Sequence, residues 1–145
     1  MKIVFCDIDG VLNSEIGTRE TGIAGIEEDK LALLKSLLDR TGAELVITSK
    51  ARFSKTIYEE RLEAIRRFGI TIKDAFQGYS LSSIPKAIEV LAYLQNKCEI
   101  PCKSLVFDDN DDGFSGCPEF VFIQINPKTG LTSEDIEKGV FLLSR

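Results

Sequence analysis

Asp7 and Asp9 stand two residues apart in the run Cys6-Asp7-Ile8-Asp9-Gly10-Val11-Leu12-Asn13, where the apolar segment Lys2-Ile3-Val4-Phe5 stops. Along an extended chain residues i and i+2 point the same way, so both carboxylates can reach one site, and the glycine lets the backbone turn. Two carboxylates held that close repel each other, and a divalent cation is the usual remedy. The pair therefore points to an aspartate nucleophile and an acid/base aspartate working with Mg2+. The same tetrapeptide also occurs in plain turns and in calcium loops. An EF-hand loop needs a glutamate at its twelfth position; counted from Asp7 that position is Thr18, and Val11 and Asn13 are poor ligands, so the calcium reading fails.

Composition removes several other chemistries. The chain has no histidine, so a Ser-His-Asp triad, a Cys-His pair and a histidine phosphoryl carrier are excluded. Cys6, Cys98, Cys102 and Cys117 lack CxxC spacing, which argues against zinc and for reduced thiols in a cytoplasmic protein. At 145 residues, 43% hydrophobic and 28% charged, the chain is expected to fold as a single globular domain over 1–145. No apolar run reaches the roughly 20 residues that a bilayer crossing requires, and no membrane partner is expected. A net charge of −5 argues against tight sequence-independent binding of nucleic acid.

The segments that must position the carboxylates alternate in kind. Strands are expected at 2–7, 43–48, 70–72, 104–108 and 120–124. Helices are expected at 27–41, 54–68, 84–97 (with Pro85 in the first turn) and 133–143. Nearly continuous apolar strands alternating with helices imply an α/β fold, a Rossmann-like three-layer sandwich with a central parallel sheet. Ligands in such sheets bind beyond the carboxyl ends of the strands. Three of these ends carry polar residues suited to phosphate and metal: Asp7 and Asp9, Thr48 and Ser49, Asp108 and Asp109.

In this order and spacing the chain resembles the haloacid dehalogenase (HAD) superfamily. Asp7-Ile8-Asp9-Gly10-Val11-Leu12-Asn13 resembles its first motif, and Leu45-Val46-Ile47-Thr48-Ser49 its second. Lys86 stands where the third-motif lysine belongs, and Val106-Phe107-Asp108-Asp109 with Asp111 and Asp112 resembles the fourth. Ser49-Lys50-Ala51-Arg52 and Thr129-Gly130-Leu131-Thr132 are similar to segments of small HAD domains, some of them fused to RNA-repair enzymes. The resemblance implies that Asp7 is the nucleophile and Asp9 the acid/base, with Thr48 or Ser49 bonding a phosphoryl oxygen and Lys86 balancing charge. It implies a Mg2+ site of Asp7, the Asp9 carbonyl and one of Asp108 or Asp109. Lys50 is the alternative cation, Asp112 a supporting acid, and Arg52 a possible phosphate contact, arginine being suited to phosphate by its two-pronged donor. Arg61, Arg66 and Arg67 are interleaved with Glu59, Glu60 and Glu63 and read as a solvated helix face.

Only about thirty residues separate Asn13 from the second strand, and the stretch 76–83 is short, so no large cap is expected. An open site suits a large phosphorylated substrate such as a nucleic-acid end or a phosphoprotein. Residues 14–26, with three glycines, are expected to form a flexible flap. The leading reading is a Mg2+-dependent phosphomonoester hydrolase with a slight tilt toward nucleotide or nucleic-acid-end phosphates. The alternative is a non-catalytic metal- or phosphate-binding module on the same fold.

Overall fold

The computed structural model describes residues 1–22, 25–77, 84–98 and 101–144. Its elements run β1 (Lys2–Cys6), α1 (Glu15–Thr21), α2 (Glu28–Thr41) and β2 (Glu44–Ile47), then a 3-10 turn (Lys50–Phe53). They continue through α3 (Lys55–Arg67), β3 (Ile72–Ala75), α4 (Lys86–Lys97), β4 (Lys103–Asp108), β5 (Val121–Gln124) and α5 (Ser133–Leu143). The strands form one parallel sheet in the order β3-β2-β1-β4-β5.

The inner strands are apolar without alternation because helices cover both sheet faces. On one face Val4, Cys6, Leu45, Ile47, Leu105 and Phe107 pack against α2, α3 and α5. On the other, Ile3, Phe5, Val46 and Val106 meet Ala87, Val90 and Tyr93 of α4, together with Phe114 and Phe120 from the β4–β5 connection. Phe5 meets Tyr93 edge-on with ring centroids 5.6 Å apart. Each fully buried large side chain stabilises the fold by about 1.5–3 kcal/mol relative to exposure. The strand order reverses between β1 and β4, and this topological switch point is where crevices open at the carboxyl ends of α/β sheets.

Three expectations about the elements need correction. The third strand lies at Ile72–Ala75, later than 70–72, because β3 is an edge strand with polar side chains. Its Lys73 pairs with Glu44, and its Asp74 with Lys97. Pro85 caps α4 from outside the helix, leaving Lys86 as its first residue. The expected flap over 14–26 contains a short helix, α1, whose cap Ser14 accepts the Gly17 N–H at 2.9 Å; residues 23 and 24 lie outside the described residues. The loop expected at 76–83 falls mostly outside them too, at 78–83. No helix among the described residues is long and apolar enough to cross a membrane.

Candidate active site

Three adjacent strand ends bring the acidic residues together. Cys6 is opposite Ile47 on one side and Phe107 on the other. One residue further, the Asp7 N–H donates to the Phe107 carbonyl and the Thr48 N–H to the Cys6 carbonyl, each at 3.0 Å. Thr48, Asp7 and Asp108 therefore form a row across β2, β1 and β4. Alternation aims all three to the face of Val46, Phe5 and Val106, the face that α4 covers. Lys86, at the start of α4, reaches this row from above. Its Nζ lies 2.6 Å from Asp108 Oδ2 and 3.4 Å from Asp7 Oδ1. A cavity of about 220 Å³ opens over Asp7, Asp108 and Lys86, with Asp9, Ser49, Lys50, Asp109 and Asp112 also on its walls.

The electrostatics of this pocket are strained. One carboxylate oxygen from each of Asp7, Asp108 and Asp109 fits within a 4.8 Å cluster, with Lys86 as the buried cation beside them. Burial pushes the Asp7 carboxyl from its ordinary 3.8 up to about 7; the Lys86 ammonium opposes the rise and the Asp108 charge adds to it. Burial also raises Asp109, helped by the hydrogen bond and charge of Asp108. Burial alone would lower Lys86, but the Asp7 and Asp108 carboxylates outweigh it and hold the lysine above its ordinary value. Burying two carboxyls and half-burying a third beside one ammonium is costly unless a further positive charge enters.

Gly10 closes the loop against this cluster. Its φ is +80°, and a Cβ there would lie 2.5 Å from Asp109 Oδ2, so only glycine permits both the turn and the approach. Asp9 lines the same cavity but is not one of the three clustered carboxylates. Its Oδ1 accepts from Asn13 Nδ2 at 3.0 Å and from Arg61 Nη1 at 2.6 Å, while Asn13 Oδ1 takes the Gly10 N–H at 2.8 Å. Arg61 is thus not part of a solvated face. The signal for it was present: Tyr58, Arg61, Leu62 and Ile65 have the i, i+3, i+4, i+7 spacing of a buried helix stripe, and the other three are core residues. Lys86 likewise shares its stripe with Val90 and Tyr93.

The remaining expected site residues divide. Ser49 lines the cavity, whereas Thr48 is fully enclosed and its Oγ1 has no hydrogen-bond partner among the described residues. Lys50 reaches the cavity rim and pairs with Asp112 at 2.9 Å. Asp112 also accepts the Lys86 N–H at 2.9 Å and so caps α4. The Asp111 carboxylate accepts from the Ser115 backbone N–H and hydroxyl and so holds that turn. Arg52 is not brought to the cavity. Its Nη2 lies 2.6 Å from Glu89 of α4, and its guanidinium stands 5.5 Å from the Phe76 ring centroid.

Asp9, Gly10 and Asp109 also form one end of a second, open groove of about 690 Å³. It runs outward past Asn13, Ser14, Thr18 and Arg19 of the α1 region to Pro127. A carboxylate between a small acidic pocket and a wide groove is placed to exchange a proton with a group that spans both.

Comparison with known proteins adds to this geometry. The family model for the HAD domain in Swiss Army Knife RNA repair proteins matches residues 3–136. Among solved structures, a Mesorhizobium loti protein assigned as a HAD-like phosphatase superposes with a TM-score of 0.56 at 13% identity. The superposition covers 99% of this chain and 86% of that one. No protein of curated function matches the sequence.

Proposed function

We propose that this chain, which belongs to the family of HAD domains found in Swiss Army Knife RNA repair proteins, is a phosphatase that hydrolyses phosphomonoesters through an aspartyl-phosphate on Asp7 with Mg2+ as cofactor. The observation that carries this reading is the row of Thr48, Asp7 and Asp108 beneath Lys86 at the switch point.

In the first half-reaction an Asp7 carboxylate oxygen attacks phosphorus in line. The bond from phosphorus to the ester oxygen breaks, its electron pair goes to that oxygen, and the oxygen takes a proton from Asp9. In the second, a water oxygen attacks the same phosphorus and its proton returns to Asp9. The bond to Asp7 breaks with its electron pair, restoring the carboxylate and releasing phosphate. The proposed role of the Thr48 or Ser49 hydroxyl and the Lys86 ammonium is to hold the phosphoryl oxygens where negative charge builds up.

The donor set fits Mg2+. Asp7, Asp108 and Asp109 offer hard oxygens within one small cluster that carries surplus negative charge. These three, with the Asp9 carbonyl, are the residues proposed to hold it. When bound it supplies positive charge that offsets repulsion between the phosphoryl group and the carboxylates.

The wide groove beyond Asp9 supports a substrate larger than a simple sugar phosphate, with its leaving group lying along α1. The RNA-repair setting of the family favours nucleotide or nucleic-acid-end phosphates; the net charge of −5 favours contact with a strand end over a long basic track. The test is phosphate release from nucleotides, 3′- and 5′-phosphorylated oligonucleotides and a phosphopeptide, with Mg2+ and with chelator. Mg2+-dependent release that Asp7→Asn abolishes in a folded protein is expected. Release that survives Asp7→Asn refutes the nucleophile.

A further inference from the structure

We propose that Arg61 is the positioning residue for Asp9, so that α3 belongs to the catalytic machinery; this rests on the phosphatase reading above. The Asp9 side chain is 57% exposed, on a loop, where a carboxylate would ordinarily sample several rotamers. Arg61 is only 14% exposed and reaches out to it from a helix anchored by Tyr58, Leu62 and Ile65. Exposed ion pairs between two flexible side chains contribute little. Here one partner is fixed by the core, so the contact transfers the rigidity of α3 to the loop.

The geometry is specific to proton transfer in one respect. Arg61 and Asn13 both donate to Oδ1. Oδ2 can therefore carry, give up and regain a proton while both contacts persist. The carboxyl stays oriented through both half-reactions, and only the proton moves. A planar guanidinium keeps this geometry better than an ammonium, which acts as a point charge.

The experiment measures kcat/KM for aryl phosphates running from 4-nitrophenyl to phenyl phosphate, with wild type, Arg61→Ala, Arg61→Lys and Asp9→Asn. Nitrophenolate leaves without a proton, whereas phenolate needs one. Arg61→Ala is expected to lose about 10- to 100-fold on phenyl phosphate and less than about threefold on 4-nitrophenyl phosphate, with KM unchanged. Asp9→Asn should show the same pattern more steeply, and added guanidinium should restore phenyl phosphate turnover to Arg61→Ala. Equal losses across the series, or none, in a protein that melts like wild type overturn the proposal. If Arg61→Ala does not fold, Arg61→Lys carries the test, since a merely structural pair gives a flat series there also. A failure of Asp7→Asn to abolish turnover would instead remove the phosphatase reading, whatever Arg61 does.

Discussion

In metal-free buffer at pH 8, Asp7→Asn is expected to stabilise the protein, although it removes one partner of a buried ion pair. The Asp7 carboxyl is raised from 3.8 to about 7, because burial outweighs the attraction of Lys86. At about 1.4 kcal/mol per pH unit, keeping this group ionised costs up to ~4 kcal/mol. That cost is already net of the Lys86 attraction; burying the amide that replaces the carboxyl subtracts from the gain, while Lys86 keeps Asp108 at 2.6 Å and is not orphaned. A net gain of about 2 kcal/mol remains, or roughly 6 °C in melting temperature for a domain of this size.

The pH dependence fixes the sign. A raised folded-state value means that the native chain binds more protons than the unfolded chain between pH 4 and 7. The penalty from Asp7 is absent below about pH 4, grows as pH rises to 7, and is constant above. The advantage of Asp7→Asn should follow the same course, seen as the difference between the two melting curves in chelator. Saturating Mg2+ should narrow or reverse that difference, because wild type gains more from the cation. A variant less stable than wild type at pH 8 in chelator, or an advantage independent of pH, would show that burial is not the dominant force on Asp7.

Three other perturbations test neighbouring parts of the site. Gly10→Ala should lose about 1–2 kcal/mol of stability at φ +80° and raise the Mg2+ needed for half-maximal activity about tenfold, as Asp109 is displaced; unchanged Mg2+ titration refutes the close approach. Arg52→Met should cost about 2–3 kcal/mol in urea denaturation with KM unchanged, partly recovered by Arg52→Met/Glu89→Leu; a large rise in KM would return Arg52 to the substrate site. Thr48→Val removes a buried hydroxyl that has no partner among the described residues and should stabilise the apo protein by about 1 kcal/mol while lowering kcat/KM. Greater loss of activity in Ser49→Ala would make Ser49 the phosphoryl contact.

The fold was legible because its signals are periodic. Apolar strands such as Ile3–Cys6 and leucine stripes such as Leu31, Leu34 and Leu37 report burial directly. β3 was misplaced because an edge strand is free to carry Lys73 and Asp74. In the site, the carboxylates at strand ends were readable since topology alone brings strand ends together. The partners of Arg61 and Arg52 are not legible in the sequence, because each depends on which helix face meets which loop. Arg52 looked like a phosphate ligand by type, yet its partner is Glu89, 37 residues away on another helix. Residue type suggests what a charge can bind; packing decides what it does bind.

The α1 region shows how that decision works at the substrate side. Three glycines in 14–26 suggested a mobile flap, yet Gly17 has a packing role. A Cβ at Gly17 would lie 2.6 Å from the Glu27 carboxylate. With no side chain there, Glu27 accepts the Ser14 N–H at 2.5 Å and the Ser14 hydroxyl at 3.0 Å. The Glu15 N–H binds the Pro127 carbonyl at 3.0 Å, tying the same turn to the segment after β5. The start of α1 is therefore held from two sides, beside the groove that begins at Asp9. A rim fixed in this way selects substrate by the shape it offers, whereas a closing lid selects by the energy of closure. With no large cap among the described residues, discrimination among phosphoesters falls, on the proposed reading, to Asn13, Ser14, Thr18 and Arg19, and the chemistry to the three strand ends, Lys86 and Asp9 held by Arg61.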